Sequence, residues 1–168
     1  MINTSLCYIE KNGAYLMIHR NKKEKDYNKD KWIGIGGKFL EAESPEECVC
    51  REVFEETGIK LTEDSVEYRG IITFVCTTTT PAGEDQYSEF MHLFYKNYNN
   101  STVTPLPACP EGDLEWVPVS KMNDLPHWKG DEIFLDLLAK NVPFFSLKLV
   151  YKDGELLEAI LNGKALTL

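Results

Sequence analysis

Apolar positions along the chain fall into short runs that read as strands and two longer stretches with a helical period. Residues 6–9 and 15–18 flank Asn12-Gly13, a dipeptide suited to the left-handed conformations of a two-residue hairpin. Residues 68–76 and 90–95 predict core strands, and 114–118 another that ends at Pro118. Residues 145–151 and 156–161 flank Asp153-Gly154, a second hairpin signal, expected to complete a sheet or to make a dimer contact. Residues 21–31 are polar and predict a loop. The apolar, glycine-rich residues 33–39 predict a strand whose backbone something approaches closely. One helix is announced by Ser44 as N-cap, Pro45 in the first turn and Glu47 completing a capping box, with Gly58 placed to end it. A second spans 131–140, with Ile133, Leu135, Leu137 and Leu138 as apolar positions. Strands interleaved with two helices predict a mixed sheet covered on its faces, an α/β (α+β) protein.

Length and composition narrow this to one globular unit. A chain of 168 residues, 43% hydrophobic and 27% charged, can bury a sizeable core, and no repeat or linker divides it, so 1–168 is expected to be one domain. No apolar run approaches the roughly 18 residues a membrane span needs, and no basic-then-apolar leader opens the chain, so no membrane association is expected. Its five cysteines are odd in number and include no Cys-x-x-Cys pair, which disfavours zinc and predicts reduced thiols in a cytoplasm. The net charge of −9 disfavours a nucleic-acid polymer as partner. A small phosphorylated ligand stays open, because a metal can supply the missing positive charge.

The first helix is where charge becomes chemistry. Glu52, Glu55 and Glu56 are spaced to share a helix face, and three carboxylates so placed repel one another. A hard divalent cation relieves the repulsion, and an all-oxygen donor set suits magnesium, with manganese able to substitute. A solvated acidic face is the plain alternative. Upstream context weighs against it: Gly36-Gly37 lets main-chain oxygens approach an ion or phosphate, Lys38 adds a cation, and Glu43 precedes the cap.

Gly37, five residues, Glu43, seven residues, and then Arg51-Glu52-Val53-Phe54-Glu55-Glu56-Thr57-Gly58-Ile59 resemble a complete Nudix box, residues 37–59. Chance agreement at all its specified positions is on the order of one in a hundred million per starting point. The resemblance implies a Nudix fold, a mixed β-sheet sandwiched between helices, and a magnesium-dependent pyrophosphohydrolase. By resemblance Glu52, Glu55 and Glu56 are the metal ligands with Gly37 as a further one, and Arg51 holds Glu43. A general base outside the ligand set often assists such hydrolysis. Glu89, Glu111 and Glu115 are candidates, with Glu89 preferred.

Residues 31–38 and 125–131 are similar to segments of the Nudix branch that removes oxidised purine nucleoside triphosphates such as 8-oxo-dGTP. That likeness implies Trp128 as a stacking or edge contact, Asp131 as a hydrogen-bond partner of the base, Tyr27 and Phe74 as stacking rings, and Arg20 as a phosphate contact. Packing in the core is the competing explanation for Tyr27, Phe74 and Trp128. The sequence departs from that branch in carrying Ile33 where an asparagine is usual, and Gly130 ahead of a single Asp131. His19, His92 and His127 form no cluster, and no P-loop or Gly-x-Ser-x-Gly motif occurs. Two other readings remain: the same chemistry on ADP-ribose, a dinucleotide polyphosphate or a nucleotide sugar, and a non-catalytic nucleotide-sensing module. In either case the partner is a small nucleotide, bound by a monomer or homodimer.

Overall fold

The computed structural model describes residues 1–102 and 105–168. Strand β1 (Ile2–Lys11) turns at Asn12 and Gly13, both at positive φ, into β2 (Ala14–His19). This is the hairpin the Asn-Gly pair demands. β1 then runs parallel to the long β5 (Gly83–Asn97), which pairs antiparallel with β4 (Glu67–Thr80). β4 runs parallel to β7 (Phe145–Lys152), and β7 turns at Asp153-Gly154 into β8 (Glu155–Leu161). On the far side β2 takes β6 (Asp113–Pro118) and the two-residue β3 (Trp32–Ile33). The C-terminal hairpin therefore extends the sheet, and a further turn at Asn162-Gly163 adds β9 (Lys164–Ala165).

Helix α1 (Pro45–Thr57) and helix α2 (Asp131–Ala139) lie on opposite faces of this sheet. Successive side chains of a strand point to opposite faces, and β1 shows the consequence. Leu6 and Tyr8 join the core that contains Phe134 and Leu138 of α2, whereas Cys7 and Ile9 join the core that contains Val49 and Val53 of α1. β2 divides in the same way, Tyr15 and Met17 to one face and Leu16 and Ile18 to the other. Both strands are buried on two sides, which is why they read as continuous apolar runs.

Two expectations need correction. Residues 33–39 are not a regular strand: after β3 the segment touches β1 through single bridges, Cys7 with Ile35 and Thr4 with Lys38. A Cβ on Gly36 would sit 2.0 Å from the Ser5 carbonyl oxygen, so what approaches closely is β1 itself. The β4–β5 hairpin is also longer than the apolar runs suggested, because the threonines at 77–80 and the polar stretch 83–88 continue the pairing beyond the core. β-branched threonine suits an exposed strand even where no apolar face is buried.

Candidate active site

Helix α1 starts where its sequence says it should. The Glu47 N–H donates to Ser44 Oγ at 3.1 Å, and the Ser44 N–H donates to Glu47 Oε2 at 2.7 Å. Gly58, at φ 72°, closes the other end by donating its N–H to the Phe54 carbonyl. Two turns inside, Arg51 grips Glu43 with two parallel bonds, Nε to Oε1 at 2.6 Å and a terminal nitrogen to Oε2 at 2.9 Å. It also donates to Glu52 at 2.7 Å, to Glu55 at 3.3 Å and to the Lys38 carbonyl at 3.0 Å. The guanidinium thus ties the loop ahead of the helix to the helix itself, and hydrogen bonds from Arg51 hold the Glu43 carboxyl down to about 2. Paired, charge-assisted bonds of this kind are among the stronger ones a protein makes.

The three glutamates do not share one environment. Glu55 is exposed on the outer side of α1, while Glu56 is buried and accepts the Gly36 N–H at 3.3 Å. Burial first, and then repulsion from Glu111 and Glu52, push the Glu56 carboxyl up to about 8. Glu52 is raised as well, by burial, against the pull of Arg51. Its carboxyl carbon lies 2.4 Å from where a Gly37 Cβ would be, so glycine at 37 is the condition for Glu52 to occupy its position. Here too the glycines make room for the protein's own groups. The Gly37 carbonyl accepts the Ser5 N–H at 2.8 Å and the weaker Cys48 thiol at 3.8 Å.

This donor set, carboxylates and a carbonyl, fits a hard divalent cation by its chemistry. Among the described residues no three Asp, Glu, His or Cys side chains are already gathered as ligands. Arg51 is bonded to Glu52 and Glu55 at once, drawing both toward itself.

Glu52 faces a cavity of about 550 Å³ that Arg20, Lys23, Lys38, Glu89 and Glu111 also line. Arg20 is engaged there, donating from Nε to Asp26 at 2.8 Å and from a terminal nitrogen to Glu111, which Lys23 also contacts. Glu89 is buried, accepts from the Tyr87 hydroxyl at 3.1 Å, and is raised by burial against the hydrogen bonds of Thr4 and Tyr87. Glu115 lies on β6, exposed and off the cavity wall.

A second, narrower cavity of about 50 Å³ adjoins the first, and Leu6, Tyr27, Asn28, Ile33, Glu89 and Met91 line both. Its own walls are Tyr8, Phe74, Trp128 and Asp131. Tyr27 stacks on Tyr87 with ring centroids 4.4 Å apart and donates to Asp85 at 3.1 Å. Trp128 meets Phe74 and Tyr151 edge-on, at 5.3 Å and 4.9 Å, and the Lys31 ammonium lies 4.4 Å from its ring centroid. Asp131, at the first turn of α2, is buried, which pushes its carboxyl up to about 7 against the influence of His127 and of a backbone bond at Trp128.

The sequence reading passed over Asn28, Tyr87 and Met91. Tyr87, Glu89 and Met91 alternate along β5 and so share a strand face, a period-two signal that marks them out once Glu89 is considered. Asn28 stands in a polar loop and carries no comparable signal.

A family model described as the NUDIX domain matches residues 2–138. A curated relative, the uncharacterized Nudix hydrolase YvcI of Bacillus subtilis (strain 168), is 32% identical over 109 residues, a stretch that is 65% of each chain. Among solved structures, the MutT protein of Bacillus halodurans superposes with a TM-score of 0.78 at 24% identity, covering 96% of this chain and 98% of that one. The NUDIX domain of Shewanella oneidensis NrtR, complexed with ADP ribose, gives 0.60 at 15% identity, covering 84% and 88%. A bifunctional NMN adenylyltransferase/ADP ribose pyrophosphatase of Francisella tularensis, complexed with AMP and a Mn ion, gives 0.57 at 19% identity, covering 83% of this chain and 41% of that one. The structural likenesses establish the fold. The family model, which matches more than half of the chain, places it in the Nudix family of hydrolases.

Proposed function

We propose that this chain hydrolyses nucleoside triphosphates to the monophosphate and pyrophosphate, with oxidised purine nucleotides such as 8-oxo-dGTP as the substrate class. One observation carries the reading: a carboxylate-walled cavity and an aromatic pocket share a wall, so one nucleotide can place its phosphates in the first and its base in the second. Apolar walls with a few convergent polar groups are the usual form of a small-molecule site.

Magnesium held by Glu52, Glu55, Glu56 and the Gly37 carbonyl, with manganese able to replace it, would supply an acidified water and neutralise charge on the phosphates. The chain's own residues account for the rest. Arg51 orients Glu52 through the Glu43 clamp and does not reach the substrate. Lys38 and Arg20 face the phosphates, Arg20 after exchanging Glu111 for a phosphate oxygen. Glu89 takes the proton as the water oxygen bonds to phosphorus and the bridging P–O bond breaks, leaving with pyrophosphate. Its raised pKa suits a base working near neutrality. Phe74 and Tyr27 flank the base, Trp128 meets it edge-on, and Asp131 bonds its polar edge.

The test is hydrolysis of normal and oxidised nucleoside triphosphates, ADP-ribose and a diadenosine polyphosphate with magnesium, by the native chain and by Glu52→Gln. Pyrophosphate released from a triphosphate, and lost in the variant, is the expected result. Magnesium-dependent cleavage of ADP-ribose alone would replace the triphosphate reading. That second reading is favoured by the breadth of the larger cavity, about 550 Å³ on the phosphate side.

A further inference from the structure

Asn28 lies in the loop between β2 and β3, on the wall that the two cavities share. Its backbone is held on both sides: the N–H donates to Asp26 Oδ1 at 2.9 Å, and the carbonyl accepts the Lys31 N–H at 2.9 Å. Asp26 is in turn fixed by its ion pair with Arg20. The side chain is held by Trp128, whose indole N–H donates to Asn28 Oδ1 at 2.8 Å. An indole nitrogen only donates, so the amide has one orientation here, with oxygen toward Trp128 and the NH₂ group turned away from it. Among the described residues that NH₂ makes no hydrogen bond, although loop and side chain are both immobilised around it. Trp128 is itself locked, by Lys31 on its face and by Phe74 and Tyr151 against its edges.

Holding an amide so firmly costs conformational freedom, and a fixed donor without a protein partner beside an apolar pocket is the arrangement that reads a ligand's polar edge. From this geometry we infer that Asn28 is a specificity-determining residue: its amide NH₂ donates to an acceptor atom on the edge of a bound nucleobase, and Trp128 acts as its positioning residue. The inference rests on the nucleotide-site reading of the two cavities and assigns the donor within it. Asp131, across the same pocket, offers the complementary oxygen group. Neighbouring donor and acceptor groups on a base edge then meet Asp131 and Asn28 respectively. A buried polar group left unpaired discriminates more strongly than a missing methylene.

The probes are GTP, ATP and the base-free ribose 5-triphosphate, bound by calorimetry in the presence of calcium so that hydrolysis does not enter. Asn28→Asp keeps an oxygen for the Trp128 N–H and removes the donor, whereas Asn28→Ala removes both. Native protein is expected to bind at least one nucleotide more tightly than ribose 5-triphosphate. Asn28→Asp is expected to weaken that nucleotide about ten- to hundredfold and to leave ribose 5-triphosphate unchanged, with a melting temperature equal to that of the native chain. Equal binding of all three probes by the native protein would overturn the inference, as would an unchanged Asn28→Asp. Parallel loss for nucleotide and ribose 5-triphosphate would reduce Asn28 to a support for the loop. Absence of hydrolysis alongside base-dependent binding would sink the triphosphatase reading and leave Asn28 in its role.

Discussion

Glu52 and Glu56 stand four residues apart on one helix, whereas Trp128 meets Asn28 across 100 residues of chain. The glutamate cluster of α1 is assembled by local rules: a capping box fixes where the helix begins, helical spacing sets which glutamates neighbour each other, and Arg51 ties Glu43 to Glu52. The aromatic pocket has no such local origin. Phe74 comes from β4, Tyr87 from β5, Asn28 from a loop and Asp131 from α2, and only the folded sheet brings them together. The first region is charged and strained by its own repulsion, the second largely apolar with two buried acids, Glu89 and Asp131. A local site carries its chemistry in the sequence, while a pocket built at long range carries its chemistry in the packing.

Substitutions that separate the two regions test this contrast. The largest effect is expected from Glu52→Gln, which should lower turnover on the order of a thousandfold while leaving unfolding almost unaltered. Loss of structure together with activity would mean that the carboxylate wall also holds the fold. Next comes Asp131→Asn. The Asp131 carboxyl stands at about 7 in the folded protein against 3.8 ordinarily, because of its burial. Below pH 3.8 both states keep the proton. As pH rises toward 7 the unfolded chain releases it and the folded one does not, so native stability falls by up to about 4 kcal/mol. Denaturant titrations at pH 4 and pH 8 should find that loss smaller in Asp131→Asn by about that amount. An equal loss in both proteins would mean that the carboxyl is not buried.

Arg51→Lys should reduce turnover ten- to hundredfold without changing the base preference, since a single ammonium cannot reproduce the two-bond grip on Glu43. A changed ratio between GTP and ATP in that variant would show that the two regions are coupled. The smallest effect belongs to Ser44→Ala, about 1 kcal/mol in denaturant unfolding, from the loss of the N-cap. No measurable change would mean that the loop, and not the cap, starts the helix.

How far the chain could be read in advance follows the same division. The hairpins at Asn12-Gly13 and Asp153-Gly154 and the caps of α1 are all set by neighbours within four residues. Reading failed where the partner was distant. Gly36 and Gly37 line the cavity, but nothing near them in sequence shows that Ser5 and Glu52 are the groups packed against them. The apolar runs marked strands only at 68–76 and 90–95, yet β4 and β5 also pair through 77–80 and 83–89 because the ladder has already begun in the core. Parallel pairing of β1 with β5 and of β4 with β7 leaves no local mark at all.

β1 sends its alternate residues, Leu6 with Tyr8 and Cys7 with Ile9, to the cores beneath both helices. Neither core can open without withdrawing this partition from the other, so the two halves of the molecule should melt in a single transition. Amide protons in the middle of β1 would then exchange with solvent only when the whole fold comes apart, and their protection would report the global free energy of unfolding.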